Sequence, residues 1–401
     1  MIASFSVPPQ PSVSLYIHIP FCTVKCGYCD FFSLTGVAPA RMEETVSSIL
    51  EDAESMLPPL VASEGTVETV YVGGGTPSVL SEKSLRRLTA GIRKLLPNTP
   101  REWTVELNPE TLTEGALDIL GGAGVDRLSL GVQTLSQEGL TALGRAATAE
   151  KTQRAVELLT AVWEGRWNGD LMLGYQGDSP ARVARDLELL TSSGACHLSV
   201  YALTLEEGTP LATAVDSGAV TLPEDEEVLE LLSAAQEVLS ERGLRRYEVS
   251  NYALPGEESL HNLRYWRMEP YLGLGPAAAS TIYYQTRPLT GVRMEGVRDL
   301  PKYLASSGRR YTTQSLSTEE LLEETLLMGL RTSEGVSLRR LQRRFGLSPE
   351  AVEDALGTSR LLRISPGEGG RLTVVPEEWN ILDRAILEAV ERLLPLAGEP
   401  Y

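Results

Sequence analysis

Short apolar runs alternate with longer stretches in which apolar positions recur every three to four residues. The runs Ser14–Pro20, Val67–Gly73, Glu102–Asn108, Arg127–Thr134, Gly169–Gly174 and His197–Ala202 are rich in Val, Leu, Ile and Tyr and predict strands. Between them the helical period predicts helices over 40–57, 81–96, 112–121, 149–163, 181–193 and 224–242, with Ser81 and Thr148 as N-caps. Repeated strand–helix alternation implies an α/β fold with a parallel sheet and right-handed crossovers. Six such units fit a partial (β/α)6 TIM-like barrel better than a closed eight-fold one.

The pattern then changes twice. Residues 245–312 form a Gly- and Pro-punctuated connecting segment, so the first domain is expected to be 1–244. From 313 to 401 three helices (318–330, 337–345, 349–356), a hairpin of Leu361–Ile364 and Arg371–Val375 turning through 366–370, and a helix at 377–394 predict a smaller C-terminal, winged-helix-like domain. Such folds often bind DNA, and Arg339, Arg340, Arg343 and Arg344 are the basic residues that would do so. Fold alone does not fix function.

Charge weighs against that use. The 401 residues carry 54 acidic and 36 basic side chains, a net charge of -18, which repels a polyphosphate. No nucleic-acid partner is expected. No apolar run reaches the roughly 18 residues of a membrane span, and Met1 to Ser14 does not read as a signal peptide. With four cysteines, three of them between 22 and 29, a disulfide framework is not expected, and a reducing, cytoplasmic location is.

In a barrel of this kind functional residues lie where strands end. Cys22 follows the first strand, Gly73–Thr76 the second; Glu106 lies in the third, Gln133 ends the fourth and Asp170 lies in the fifth. Cys22, Cys26 and Cys29 have the spacing C-x3-C-x2-C, in Tyr16-Ile17-His18-Ile19-Pro20-Phe21-Cys22-Thr23-Val24-Lys25-Cys26-Gly27-Tyr28-Cys29. Three thiolates on one loop can hold three irons of a [4Fe–4S] cubane and leave the fourth open. A closed zinc site would need a fourth protein ligand, for which His18 is nearest but lies inside a strand. Cys196 and His197 read as buried side chains.

The loop resembles the signature of radical S-adenosylmethionine (SAM) proteins. The resemblance implies a [4Fe–4S] cluster on Cys22, Cys26 and Cys29, with S-adenosylmethionine chelating the open iron and being cleaved reductively. Gly73-Gly74-Gly75-Thr76 resembles the family's glycine-rich motif for the ligand's ammonium group; a glycine triplet alone is often only a turn. Glu106 and Asp170 are carboxylates in apolar strands, which need partners: ribose hydroxyls, an ammonium group or internal salt bridges. Arg145 has a fork suited to a ligand carboxylate, and Gln133 can both donate and accept. The same resemblance adds Tyr16, Tyr28 and Ala202 around the ligand.

Within that family the chain is most similar to the oxygen-independent coproporphyrinogen III oxidase-like group, through residues 126–134, 199–202 and 324–331. The dehydrogenases of the group carry a further cysteine two residues after the third; here Phe31 stands in that place. The heme chaperone branch carries His-Asn-x-x-Tyr-Trp, matched by His261, Asn262, Tyr265 and Trp266, and 271–280 matches the same branch. An imidazole can ligate heme iron, and Tyr and Trp offer flat apolar surface. The implied partners are heme, a heme-acceptor protein of unknown identity and an electron donor for the cluster. Decarboxylation of coproporphyrinogen III is the competing reading, and a cluster-containing DNA-binding sensor a third. Two stretches depart from the pattern: Ala146 and Ala147 replace a usual histidine region, and Tyr175-Gln176 a usual Leu-Pro; both are expected at the pocket rim.

Overall fold

The computed structural model describes residues 8–61, 65–284, 286–305, 310–365, 369–375, 379 and 381–397. Six parallel strands run in chain order across the sheet: β1 (Ser12–Ile19), β2 (Thr66–Gly74), β3 (Glu102–Leu107), β4 (Arg127–Gln133), β5 (Arg166–Leu173) and β6 (His197–Ala202). Their connections carry α1 (Pro39–Leu60), α2 (Glu82–Leu95), α3 (Glu114–Ala123), α4 (Gln137–Ala142), α5 (Ala149–Val162) and α6 (Pro180–Ser192). After β6 come α7 (Pro210–Asp216) and α8 (Asp225–Glu241). Ser81 and Thr148 accept hydrogen bonds from Ser84 N and Lys151 N, as N-caps do.

Each strand has two faces, and both are buried. On β1 Val13, Leu15, Ile17 and Ile19 are fully buried against the helical layer and belong to the large apolar core. The alternate positions are polar: Ser14, Tyr16 and His18 on β1, Thr69 and Tyr71 on β2, Glu102 and Glu106 on β3, Arg127 and Ser129 on β4, Asn168 and Asp170 on β5. These side chains bond one another across neighbouring strands: Thr69 to Ser14 at 2.8 Å, Tyr71 to Glu106 at 2.7 Å, Arg127 to Glu102 at 2.9 Å, Ser129 to Asp170 at 2.9 Å. The period-two alternation thus separates an apolar outside from a polar lumen.

The sheet does not stop at six strands. β7 (Arg245–Arg246) and β8 (Asn251–Ala253) extend it antiparallel beyond β6. After α9 (Leu260–Trp266), β9 (Tyr271–Leu274) pairs parallel with β1 on the opposite side. Then β10 (Ala279–Tyr284), β11 (Thr290–Gly296), α10 (Leu300–Ala305) and β12 (Tyr311–Leu316) continue outward, giving one sheet of twelve strands among the described residues. The connecting segment is therefore built into the barrel sheet at both of its edges.

The C-terminal part has its own apolar core, with Leu326, Leu341, Val352, Leu372 and Ala389 fully buried or nearly so. It comprises α11 (Thr318–Gly329), β13 (Val336–Ser337), α12 (Leu338–Phe345), α13 (Pro349–Leu356), β14 (Leu362–Ser365), β15 (Arg371–Val374) and α14 (Leu382–Leu393). β13, β15 and β14 form a three-stranded antiparallel sheet beside the helices, the arrangement of a winged helix. Most of the expected hairpin turn, 366–368, lies outside the described residues, as do 377, 378 and 380 of the expected last helix.

Candidate functional site

The three cysteines lie on one loop over the C-terminal ends of the strands. The loop is fastened by backbone bonds at both ends and in the middle: Cys22 N to Leu34 O at 3.0 Å, Gly27 N to Leu143 O at 3.2 Å, and Leu211 N to Gly27 O at 2.9 Å. Burial pushes the Cys22 and Cys29 thiols up, and the neighbouring thiolates push the same way. Arg145 opposes this at Cys22, and its Nη1 donates to Cys26 Sγ at 3.3 Å. Thr76 Oγ1 lies 3.6 Å from Cys22 Sγ. Among the described residues no three His, Cys, Asp or Glu side chains close round a single point. A closed zinc site takes four protein donors, whereas a cubane can take one thiolate on each of three irons. Three mutually interacting thiols with a guanidinium beside them fit the cluster.

The glycine turn meets this loop at close quarters. Gly74 has φ +103, and a Cβ there would lie 2.3 Å from the His18 ring. At Gly75 it would lie 2.6 Å from Phe21 O. Only glycine lets β2 end against β1, and the turn then delivers Thr76 to Cys22. Gly74 N donates to Glu106 Oε2 at 3.0 Å.

Glu106 and Asp170 are largely buried in the lumen, and neither has an ion-pair partner within contact distance among the described residues. Burial pushes Glu106 up to about 7 and Asp170 to about 6, against the hydrogen bonds from Tyr71 and Gly74 on the first and from Ser199 and Ser129 on the second. The salt-bridge alternative is thereby set aside for both. Gln133 follows a register shift between β4 and β5 and takes φ +65, a left-handed conformation that redirects its side chain. A Cβ at Gly131 would lie 2.8 Å from Asn108 Oδ1, 3.2 Å from Gln133 Nε2 and 3.5 Å from Arg145 Nη2. That missing side chain is what lets the three polar groups gather. Arg145 Nη2 donates to Asn108 Oδ1 at 3.1 Å and Gly131 O at 2.9 Å, while its buried Nε has no partner. Tyr28 is half-buried beside Cys26, Tyr16 OH meets His18 Nδ1 at 2.8 Å, and Ala202 ends β6.

Beside this group, at the seam between the two edges of the barrel, lies a cavity of about 850 Å³. One wall is Tyr201 with Glu248 to Asn251; the other carries Tyr271, Thr281, Tyr283 and Arg293. Phe31 and Phe32 of the cysteine loop stand at its upper end. Asn262, Tyr265 and Trp266 of α9 line its floor, and Met328 and Arg331 close it from the C-terminal part.

His261 is not on that wall. It is buried beneath it, with Nδ1 2.8 Å from Thr69 Oγ1 and Nε2 2.9 Å from the Tyr265 hydroxyl, stacked on Tyr71. Both ring nitrogens bond within the protein, so the structure places the histidine behind Tyr265 rather than on the cavity wall. Of the residues expected at the rim, Tyr175 is buried with its hydroxyl 3.1 Å from Thr134 Oγ1 and Ala147 is buried, while Ala146 and Gln176 are exposed. The arginines weighed for DNA divide. Arg340 and Arg344 pair with Glu269 at 2.5 and 3.7 Å, facing the barrel, while Arg339 and Arg343 are exposed.

Residues 16–190 match the Radical SAM superfamily, and residues 316–362 match the HemN C-terminal domain. Heme chaperone HemW of Lactococcus lactis is 32% identical over 346 residues, 86% of this chain and 88% of that protein. Heme chaperone HemW of Bacillus subtilis is 34% identical, covering 84% of this chain and 88% of that one. This chain belongs to the HemW family of radical SAM proteins. The bovine protein named radical S-adenosyl methionine domain-containing protein 1, mitochondrial, is 34% identical over 96% of this chain and 89% of its own length. In fold, this HemW-family chain matches coproporphyrinogen III oxidase (HemN) from Escherichia coli with a TM-score of 0.77 at 19% identity, over 96% of this chain and 91% of that one. The α/β barrel and the helical C-terminal part are thus those of the radical SAM fold.

Sequence reasoning missed part of the site. Asn108, Ser129, Gly131, Ser199 and Tyr71 support the residues named from motifs, and Tyr201 and Tyr271 line the cavity. Their signal is the recurrence of polar residues at every second position of strands that are otherwise apolar.

Proposed function

We propose that this protein is a radical SAM-type heme chaperone: it takes up heme in the seam cavity and hands it to an acceptor protein. The observation that carries the reading is identity of 32–34% to proteins named heme chaperone HemW over 84–86% of this chain. Likeness to coproporphyrinogen III oxidase is a likeness of fold, at 19% identity, and Phe31 stands where that group's further cysteine is expected.

In this reading Cys22, Cys26 and Cys29 hold the [4Fe–4S] cluster. Gly74, Gly75, Thr76, Glu106, Gln133, Arg145 and Asp170, with Tyr16, Tyr28 and Ala202, hold S-adenosylmethionine. Bound together, cluster and ligand supply one-electron chemistry fed by an electron donor. Arg145, with its unpaired Nε, receives the ligand carboxylate, and Glu106 and Asp170 accept hydrogens from the ligand's ammonium and hydroxyl groups. Asn262, Tyr265 and Trp266 give heme a floor, with His261 fixing Tyr265 from behind. A division into 1–244 for the cluster, 245–312 for the heme floor and 313–401 as cover is part of the same proposal. So is a cytoplasmic location; among the described residues no helix is long and apolar enough to cross a membrane.

The test is anaerobic incubation of the reconstituted chain with heme or with coproporphyrinogen III. Heme that co-elutes with the protein and passes to an apo-acceptor is the expected result. Protoporphyrinogen IX accumulating over many turnovers would overturn it in favour of the oxidase reading.

A further inference from the structure

The cavity wall holds an arginine that has no ion-pair partner among the described residues. Three arginines line the cavity: Arg293, Arg298 and Arg331. Arg293 is committed, gripping Glu324 through both terminal nitrogens at 2.8 and 2.9 Å. Arg331 is 2.9 Å from Asp383, whose side chain is 87% exposed, so that pair is weak in water. Arg298 follows β11 and has no ion pair or side-chain hydrogen bond among the described residues.

Its direction is also informative. The positive charge of Arg298 reaches His18, which lies on the inner face of β1, and opposes a proton there. Arg298 is exposed to solvent and also lines the cavity, so its guanidinium stands where solvent meets the cavity, within reach of a bound anion. The same cavity offers the rings of Phe31, Phe32 and Trp266, with the acids Glu248 and Glu269 elsewhere on its lining. A ligand that fits must offer aromatic surface to these rings and an anion to the fork. A guanidinium meets a carboxylate with two parallel N–H···O bonds, a stronger match than a neutral pair.

We propose that Arg298, helped by Arg331, anchors the carboxylates of a planar apolar ligand in the seam cavity. Resting on the heme reading above, those carboxylates are the heme propionates. The anchors come from different parts of the chain, Arg298 from the barrel sheet and Arg331 from the end of α11. Carboxylate binding would then draw the C-terminal part against the barrel.

The test uses the full reconstituted chain and three probes: heme, heme dimethyl ester and S-adenosylmethionine. Arg298→Ala should weaken heme roughly tenfold, the loss of one charge-assisted contact, and leave the ester unchanged. Arg298→Lys should restore part of the loss, and added salt should narrow the gap between wild type and Ala. Equal losses on heme and ester, or no loss on either, would overturn the anchor. Loss confined to S-adenosylmethionine would assign Arg298 to that ligand's carboxylate and overturn it too. A wild-type chain that binds neither heme nor ester would instead defeat the heme reading itself, and the assignment with it.

Discussion

Glu106 and Asp170 carry the clearest consequence of burial at the scale of single residues. Their ordinary values are 4.5 and 3.8, and burial raises them to about 7 and about 6. An acid raised in the folded state holds more protons folded than unfolded, so its burial costs stability as pH climbs from about 4 to about 7. A ligand that donates hydrogens binds the ionised form and offsets that cost. Affinity for S-adenosylmethionine should therefore rise between pH 5.5 and 8, by up to roughly tenfold per unit below about 7. Titration calorimetry checks it; a profile as flat in wild type as in Glu106→Gln would contradict it. The cysteines give a second expectation. Replacing Cys22, Cys26 and Cys29 by Ala should remove the iron found after anaerobic reconstitution, while Cys196→Ala, whose thiol lies 3.6 Å from Trp167 O far along the chain from the loop, should keep it. His261 gives a third. Burial lowers it from 6.5 to about 3, so it is neutral when folded. The folded state binds fewer protons than the unfolded one below pH 6.5, and stability falls as pH drops from there toward 3. The advantage of wild type over His261→Gln in urea midpoint should shrink by up to about 1.4 kcal/mol per unit over that window. These residues were legible because chemistry demanded them: a carboxylate in an apolar strand has to be explained. The orientation of His261 was not, because a motif names residue types and leaves open which face of a seven-residue helix meets the cavity.

Among the elements, α9 is held in a way that its own sequence does not announce. Glu102, the first residue of β3, is fully buried and accepts from Arg127 Nε at 2.9 Å, Leu260 N at 3.2 Å and His261 N at 2.9 Å. Its carboxylate caps the start of α9 from across the barrel, and Arg127 reaches on to Glu257 O at 3.0 Å. One ion pair thus fixes the helix that floors the cavity. Glu102→Ala would leave Arg127 buried without its counter-charge and the helix N–H groups unpaired. The expected loss is about 3–5 kcal/mol. Ser81→Ala, which removes only an exposed N-cap on α2, should cost about 1 kcal/mol. Denaturant unfolding of the two variants side by side checks the ranking, and equal losses would refute it. The barrel strands and helices were readable to within a few residues because each obeys one period with one apolar face. β7 to β12 were not readable as barrel strands. β7 and β8 have only two and three residues, and β9 has four, too few for a pattern to repeat. The place of β9 is set by a pairing partner more than two hundred residues away in sequence, Leu15 for Leu272, and that of β8 by β6, more than fifty residues away.

For the molecule as a whole the question is what keeps the C-terminal part seated over the seam. Its apolar core takes in Met268, Tyr283 and Leu289 from the barrel side, so part of the seating is apolar. A chain of ion pairs adds to it. Glu269, between α9 and β9, meets Arg340 at 2.5 Å and Arg344 at 3.7 Å, both on α12. Arg267 meets Glu334 at 2.6 Å, and Glu334 meets Arg371 of β15 at 2.5 Å. Arg246 adds a contact over the Trp379 ring at 4.9 Å. The paired groups are about one-fifth to two-fifths exposed, so solvent weakens each, but two acids serving four arginines form a network rather than isolated pairs. Glu269 also lines the cavity, which ties the latch to the ligand wall. Glu269→Ala leaves Arg340 and Arg344 facing each other without a counter-charge. It should lower stability by about 1–2 kcal/mol and speed the release of bound heme, since Met328 and Arg331 lose their fixed position over the cavity. The cysteine loop is held by barrel contacts alone, so iron content after reconstitution should not change. Raising salt should bring wild type toward the variant in heme release, because screening acts on the half-exposed network and leaves the apolar cavity floor untouched. Stopped-flow transfer of heme to apo-myoglobin at two ionic strengths, alongside iron analysis, measures both halves. If the variant released heme at the wild-type rate, the C-terminal part would be seated by something other than these charges. If it lost iron as well, the latch and the cluster would be parts of one cooperative unit rather than two.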